Sequence, residues 1–236
     1  MNAAAYTNVD QAEDDYETAL RANAHGPAVL SAACHAADMP LIHVSTDYVF
    51  DGTKAGPYVE SDPIAPIGAY GLSKAAGETA VRDGMPKHLI IRTSWVYGEF
   101  GKNFLKTILR LAKERDELRV VADQHGSPTS TAAIASAILS IAPQLRNENT
   151  RWGTYHLSGT GVTSWHGFAE WIIAVQARHT SRKPAILPIT TLDYPTKAAR
   201  PVNSALDCTL IRQVFGIAPE AWTKDSESVT NALMRA

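Results

Sequence analysis

Tyr70-Gly71-Leu72-Ser73-Lys74 sets a phenol and an ammonium one helical turn apart, and Ser45-Thr46-Asp47-Tyr48 stands about two dozen residues before it. A tyrosine and a lysine at this spacing project from one face of a helix, so the cation can sit beside the phenol. An unperturbed phenol has a pKa of about 10, and bringing it to roughly 7 takes on the order of 4 kcal/mol. A neighbouring ammonium in a partly desolvated cleft supplies that order of energy, and in bulk water it does not. The hydroxyl of Thr46 or Ser45, leaving a strand end nearby, would share a substrate oxygen with Tyr70. Such a set delivers a proton to a carbonyl.

Spacing alone is weak evidence, because eight Tyr and nine Lys yield about 0.3 such pairs by chance in a chain of this length. Placement strengthens it. Leu41-Ile42-His43-Val44-Ser45 reads as a buried parallel strand ending in small polar residues, and the Tyr/Lys pair opens the next helix, Tyr70 to Val81. In open α/β sheets ligands bind outside the carboxyl ends of strands, where Ser45 and Thr46 would fall.

The other elements alternate in the same way. Residues 9–37 read as helical, with Gly26-Pro27 marking a break or restart; His88 to Thr93 is a second strand. Asn103 to Lys113 is an amphipathic helix, Leu118 to Ala122 a strand, and Thr129 to Ile141 a small-residue helix. Tyr155 to Leu157 and Ala185 to Ile189 are short strands; Ser164 to Ile173, Asp207 to Phe215 and Ser226 to Met234 are helices. Strands separated by helices imply an α/β fold, a doubly wound, mostly parallel, Rossmann-like sheet. A division at residues 1–152 and 153–236 is expected, the second part being mainly a small α/β substrate lobe with some of its segments interleaved in the first.

At 236 residues and 45% hydrophobic, the chain can bury a sizeable core. A net charge of −2 argues against a nucleic-acid or anionic-membrane surface. Cys34 and Cys208 lack Cys-x-x-Cys spacing, the first residues lack signal-peptide character, and no apolar run is long enough for a bilayer. A soluble, cytoplasmic protein with a small-molecule partner is expected.

His125 and His156 tempt a metal or catalytic reading, but only Asp123 lies near, so structural histidines are expected and no residue is assigned to a metal. Glu13-Asp14-Asp15 with Glu17 reads as a solvated helix face. Gly68-x-x-Gly71, Gly98-x-x-Gly101 and Gly159-x-Gly161 lack the third glycine or the placement of a dinucleotide loop and read as ordinary turns.

Longer motifs run through the chain. They include Asn2-Ala3-Ala4-Ala5-Tyr6-Thr7, Ser45-Thr46-Asp47-Tyr48-Val49-Phe50-Asp51-Gly52, Arg92-Thr93-Ser94-Trp95-Val96-Tyr97-Gly98, Asp123 to Thr129, Thr163-Ser164-Trp165 and Ala199-Arg200-Pro201. With these the chain resembles the dTDP-4-dehydrorhamnose reductases, extended short-chain dehydrogenases/reductases of dTDP-rhamnose biosynthesis. The resemblance implies that NADPH or NADH gives hydride to the 4-keto carbon of a nucleotide sugar while Tyr70 protonates its oxygen. Lys74 would lower the Tyr70 pKa and hold the nicotinamide ribose, and Thr46 would hydrogen-bond the reacting oxygen. Asn23 would complete a proton relay, or be a solvated helical residue. Asn2, Ala3, Ala4 and Ser45 would line the cofactor. Asp47, Tyr48, Trp95, Asn103 and Arg200 would meet the substrate. A core tryptophan, a helix cap and a solvated arginine remain open readings of the last three.

The resemblance also admits a magnesium ion and a homodimer. Related 4,6-dehydratases follow the threonine with Asp-Glu, whereas Tyr48 follows Asp47 here; epimerases share the Tyr and Lys but not the Arg92–Gly98 and Ala199–Asp207 signatures. In the family, Asn2 follows opening strand-helix units that carry the glycine loop, so on the order of 60 residues are expected to be missing ahead of Met1. A noncatalytic remnant or a regulatory binding subunit, like the beta subunit of methionine adenosyltransferase, is therefore the alternative to a reductase.

Overall fold

A computed structural model describes residues 1–146 and 150–235. In chain order the elements are α1 (Tyr16–Leu20), α2 (Gly26–Ala36), β1 (Leu41–Thr46), α3 (Ala69–Gly84), β2 (His88–Thr93), β3 (Val96–Tyr97), α4 (Phe104–Glu114) and β4 (Glu117–Val121). They continue with β5 (His125–Gly126), β6 (Thr129–Ser130), α5 (Thr131–Ile141), β7 (Gly153–His156), β8 (Thr163–Ser164), α6 (Trp165–Gln176), β9 (Ala185–Ile189), α7 (Thr209–Phe215) and α8 (Trp222–Arg235). They fall into two compact units whose segments alternate along the chain: Met1–Thr93, Leu139–Leu157 and Thr196–Ala218 form the first, and Ser94–Ile138, Ser158–Pro195 and Pro219–Ala236 the second.

In the first unit β1, β2 and β7 form a parallel sheet in that order, with Thr46 opposite Thr93 and Arg92 opposite His156. Both faces of β1 and β2 are covered, which is why each reads as a nearly continuous apolar run. On the free side of β1, Asn2 makes a parallel bridge to His43. The connection from β1 to β2 contains α3, as a parallel pairing requires.

Helix α3 buries Gly71, Ser73, Lys74, Ala75, Gly77, Glu78 and Val81, a face of small and charged residues. One of its first free N–H groups is met from a distance: the Glu13 carboxylate accepts from Ala69 N at 2.9 Å, where an anion also suits the helix dipole. Asp14 pairs with Lys197. The acidic cluster is thus partly structural rather than a wholly solvated face.

Of the break or restart expected at Gly26-Pro27, the chain shows no break, and α2 starts at Gly26 directly from a π turn. A π-helical turn, Arg21–His25, joins α1 to α2 and helical angles continue through Gly26 (φ −57°, ψ −53°). A proline inside an α-helix offers no N–H and crowds the carbonyl four residues back, here that of Asn23. The wider π turn accommodates this, and Gly77 of α3 packs against the same carbonyl: a Cβ on Gly77 would lie 1.9 Å from Asn23 O.

In the second unit β3 pairs with β6 and β4 with β9, both parallel, and β5 with β8 antiparallel. Tyr97, Leu105, Ile108, Leu118, Phe168 and Ile172 lie in its core. Asn103 and Ser164 cap α4 and α6 by accepting from Lys106 N at 3.1 Å and Gly167 N at 3.0 Å. Thr129 and Ser130, expected in a helix, pair as β6 instead, and α5 begins two residues later than expected, at Thr131. Apart from β5 and β8 the pairing is parallel, giving the expected α/β, Rossmann-like class. Among the described residues no helix is long and apolar enough to cross a membrane.

Candidate active site

The first unit brings Thr46, Asp47, Tyr48, Tyr70 and Arg200 together at the carboxyl end of β1. Extended backbone at Thr46 (φ −139°, ψ 155°) ends the strand, and its hydroxyl accepts from Tyr48 N at 3.2 Å, capping a single helical turn over Asp47–Val49. That turn packs on the start of α3, because Gly71 has no side chain: a Cβ there would stand 2.3 Å from Tyr48 O. The rings of Tyr48 and Tyr70 meet edge to face, with centroids 5.6 Å apart.

The Thr46 hydroxyl donates to Asp47 Oδ1 at 3.0 Å. Asp47 is 2% exposed. Burial pushes its carboxyl up to about 6, against the hydroxyls of Ser204 and Thr46, which draw it down. Burial likewise pushes Tyr70 up to about 12; hydrogen bonding from Thr46 lowers it and the Asp47 charge raises it. The expectation that Lys74 draws this phenol towards neutrality is not met in this geometry. The Lys74 ammonium donates to Val44 O at 2.8 Å, and burial dominates at Tyr70.

Lys74 is itself 2% exposed. Burial lowers it to about 8, with Glu78 opposing. Glu78, one turn further along α3, takes a two-pronged bond from Arg92 of β2, Nε to Oε1 at 2.8 Å and Nη2 to Oε2 at 2.7 Å. Burial would raise Glu78, but the Arg92 fork outweighs it and holds the carboxyl below its ordinary value. His43 on β1 is lowered to about 3 by burial and then by Lys74, so it is neutral. His156 is lowered to about 4 by burial and Arg92, and its Nδ1 meets Tyr58 O at 3.0 Å, a structural role.

Asn23 is buried, not a solvated helical residue, because the π turn carries it inward against α3. Its Oδ1 accepts from Tyr6 N at 2.8 Å, and its Nδ2 donates to Tyr6 O at 3.0 Å and Ser73 Oγ at 2.9 Å. Ser73 Oγ in turn donates to Tyr70 O at 2.7 Å. Asn2 is buried beside His43, its Nδ2 3.0 Å from Nδ1; Ala3 and Ala4 are exposed, and Ser45 is buried. Arg200 Nη2 pairs with Asp10 at 2.7 Å, and its charge lowers Tyr48, which burial and Asp47 raise.

Trp95 and Asn103 belong to the second unit. Trp95 lies at φ +47°, a left-handed conformation rare for a bulky residue, with its ring stacked on Trp165 at 3.5 Å and 4° between planes. Asn103, besides its cap, donates to Gly98 O at 2.8 Å. Sequence reasoning missed Glu78, Arg92, Ser204 and Trp165 as parts of these arrangements. Arg92, Trp165 and Ser204 stood inside the longer motifs without a role, and the i,i+4 spacing of Lys74 and Glu78 was the local signal for Glu78. Among the described residues no group of three or more His, Cys, Asp or Glu could hold a metal ion.

The family model for the RmlD substrate binding domain matches residues 1–235. A dTDP-4-dehydrorhamnose reductase from Aggregatibacter actinomycetemcomitans is 47% identical, over 97% of this chain and 79% of its own. The chain belongs to the dTDP-4-dehydrorhamnose reductase family. A second reductase, from Sinorhizobium fredii, is 43% identical over 99% of this chain and 80% of its own. The solved Clostridium acetobutylicum reductase superposes with a TM-score of 0.91 at 38% identity, covering 98% of this chain and 79% of that one. The Bacillus anthracis enzyme, solved in complex with NADP, gives 0.88 at 38% identity with the same coverage.

Proposed function

We propose that this chain reduces the 4-keto group of dTDP-4-dehydrorhamnose, yielding dTDP-L-rhamnose, with Tyr70 as proton donor. The observation that carries this reading is the gathering of Tyr70, Thr46 and Asp47 at the end of a parallel strand, with Lys74 buried one turn behind the phenol. An NAD(P)H cofactor supplies the hydride. The residues fit its reacting end: the Lys74 ammonium lies behind the end of β1, and the exposed Ala3 and Ala4 follow Asn2, which bridges the free side of that strand. Lys74 would exchange the Val44 carbonyl for a ribose hydroxyl.

Tyr70 is suited to act as an acid because a phenol held near 12 stays protonated until a developing alkoxide draws the proton away. Thr46 steadies the same oxygen. Asn23 fixes the first turn of α3 through Ser73 and so holds Tyr70 in place. Tyr48, Asp47 and Arg200 are assigned to the nucleotide sugar, the guanidinium turning its fork from Asp10 to the diphosphate. In the second unit the Trp95 and Trp165 stack is an aromatic surface for sugar or base, and Asn103 holds the turn before α4. We place the protein in the cytosol.

The test is NADPH consumption with dTDP-4-dehydrorhamnose, beside equilibrium binding of the sugar nucleotide. Tyr70→Phe is expected to lower kcat by about 100- to 10,000-fold while binding changes little. A chain that binds the sugar nucleotide but never consumes NADPH would instead be a binding subunit of the same fold.

A further inference from the structure

Resting on the reductase reading, we infer that Asp47 is the proton reservoir for Tyr70, reached through the Thr46 hydroxyl. Four placements carry it. Asp47 is buried, at 2% exposure, yet among the described residues no ion pair compensates its charge. The cations of the site have partners of their own, Arg200 in Asp10 and Lys74 in Val44 O. The Thr46 hydroxyl touches Asp47 Oδ1 at 3.0 Å and stands beside the Tyr70 phenol, which it draws down. Asn23, to which sequence reasoning gives the relay, is instead committed to Tyr6 and Ser73.

A buried carboxyl whose neighbours are hydroxyls favours its protonated form; once protonated, Asp47 donates to Thr46 Oγ1, and the Thr46 hydroxyl, which donates to Asp47 when that group is charged, turns to Tyr70, so that a proton can pass along the chain of hydroxyls. The groups facing Asp47 are Thr46 and Tyr48 on its own turn, Tyr70 from α3 and Ser204 from the segment before α7; Arg200 and Asp10 stand beyond Tyr48. Burial holds the Asp47 carboxyl near 6 and the phenol near 12, so a proton moves downhill from the acid to a newly formed phenolate.

Hydride from the reduced nicotinamide forms the C–H bond at the keto carbon, and the Tyr70 O–H bond breaks as the alcohol O–H forms. The phenolate takes the Thr46 hydroxyl proton, Thr46 takes the Asp47 carboxyl proton, and Asp47 is left as carboxylate. Water returns that proton once product has left. Asp47 acts through Thr46 and is a positioning and proton-supplying residue, not one that touches the reacting oxygen.

The first test needs no turnover. With carbon-13 in the tyrosine Cζ and aspartate carboxyl positions, Tyr70 is expected to inflect at the pH where Asp47 titrates. Thr46→Val should shrink that inflection by about threefold or more while Asp47 still titrates, since the hydroxyl bridge is lost and only through-space charge remains. An inflection of undiminished size in Thr46→Val, or none in the unaltered chain, overturns the proposal. Ser204→Ala removes a bond that lowers Asp47, so the Asp47 midpoint and the Tyr70 inflection should move to higher pH together; an inflection that stays put also overturns it.

In turnover, kcat should fall as pH rises through the Asp47 midpoint, with the fall displaced upward in Ser204→Ala. A fall that is not displaced with Asp47 counts against the relay. Absence of NADPH consumption with the Asp47–Tyr70 coupling intact would sink the reductase reading and leave the hydroxyl chain standing.

Discussion

Neutralising Glu78 should cost this protein more stability than any neighbouring polar change. Glu78 is fully buried and Arg92 2% exposed, and both prongs of their bond are short, 2.8 and 2.7 Å. Arg82 adds a third contact at 2.6 Å. Glu78→Gln leaves the Arg92 guanidinium enclosed by the Phe50 ring, 5.1 Å from its centroid, and by His156, whose Nε2 is 3.4 Å away. Removing one partner of such a pair costs about 3–5 kcal/mol. At about 2–4 °C per kcal/mol for a chain of this size, the melting temperature should fall on the order of 6–20 °C. Glu78→Met with Arg92→Met should be milder than either single change, because neither charge is then buried alone and Arg82, a third exposed, can turn to water. Since the Arg92 fork holds the folded-state carboxyl below its ordinary value, this stability is present above the carboxylate range. It is lost as pH falls through the folded value, and the variant and parent should converge there. Calorimetry at neutral and acid pH measures both arms. A loss below about 1 kcal/mol in Glu78→Gln, or a double variant as damaged as the sum of the singles, would refute the reasoning.

Two further expectations concern the same helix. Lys74 is lowered from 10.5 to about 8 by burial, so stability should rise with pH between those values, and at neutral pH the buried ammonium costs on the order of 3 kcal/mol. Lys74→Met should therefore be more stable at neutral pH, by roughly 2 kcal/mol once the lost bond to Val44 O is allowed for, while turnover collapses. A less stable variant contradicts this. Gly77→Ala places a Cβ 1.9 Å from the Asn23 carbonyl oxygen, a backbone atom that cannot yield without moving the π turn, and should cost about 1–3 kcal/mol with faster exchange of the Tyr6 amide. Unchanged melting and exchange would show that the π turn is not held by α3.

The strands and the opening of α3 were legible because local signals agree there. β2 spans His88–Thr93 as the apolar run predicts, and β1 extends the predicted strand by one residue, since both strands are covered on both faces and bounded by turn residues. What failed depends on partners remote in sequence. Gly26-Pro27 looks like a stop in isolation and becomes helical only through the π turn, whose Asn23 carbonyl meets a glycine 54 positions along in α3. Its spacing to Lys74 aside, Glu78 carries no local signal of its role, because the group that makes it a buried anion, Arg92, lies on the next strand. β6 is two residues long, too short for a period, and exists because Val96 and Tyr97 lie alongside it.

The π turn and the buried Glu78 both meet helix α3, and its composition bears on the site. The buried face of α3 is poor in large apolar side chains, so area burial does little to fix where the helix lies along the sheet. Directional contacts do that instead: Glu13 at its first N–H groups, Asn23 through Ser73 beside Tyr70, Lys74 on the β1 carbonyl and Glu78 on the β2 guanidinium. Each has a narrow optimum in distance and angle, whereas apolar contact tolerates sliding. A phenol that must protonate one oxygen while meeting Thr46 gains from such a mount, because a misplacement of about 1 Å can cost 100-fold in rate. The buried charges of α3, Glu78 stabilised by its Arg92 fork and Lys74 costly to hold near neutral pH, are thus the means by which Tyr70 is kept in register with the end of β1.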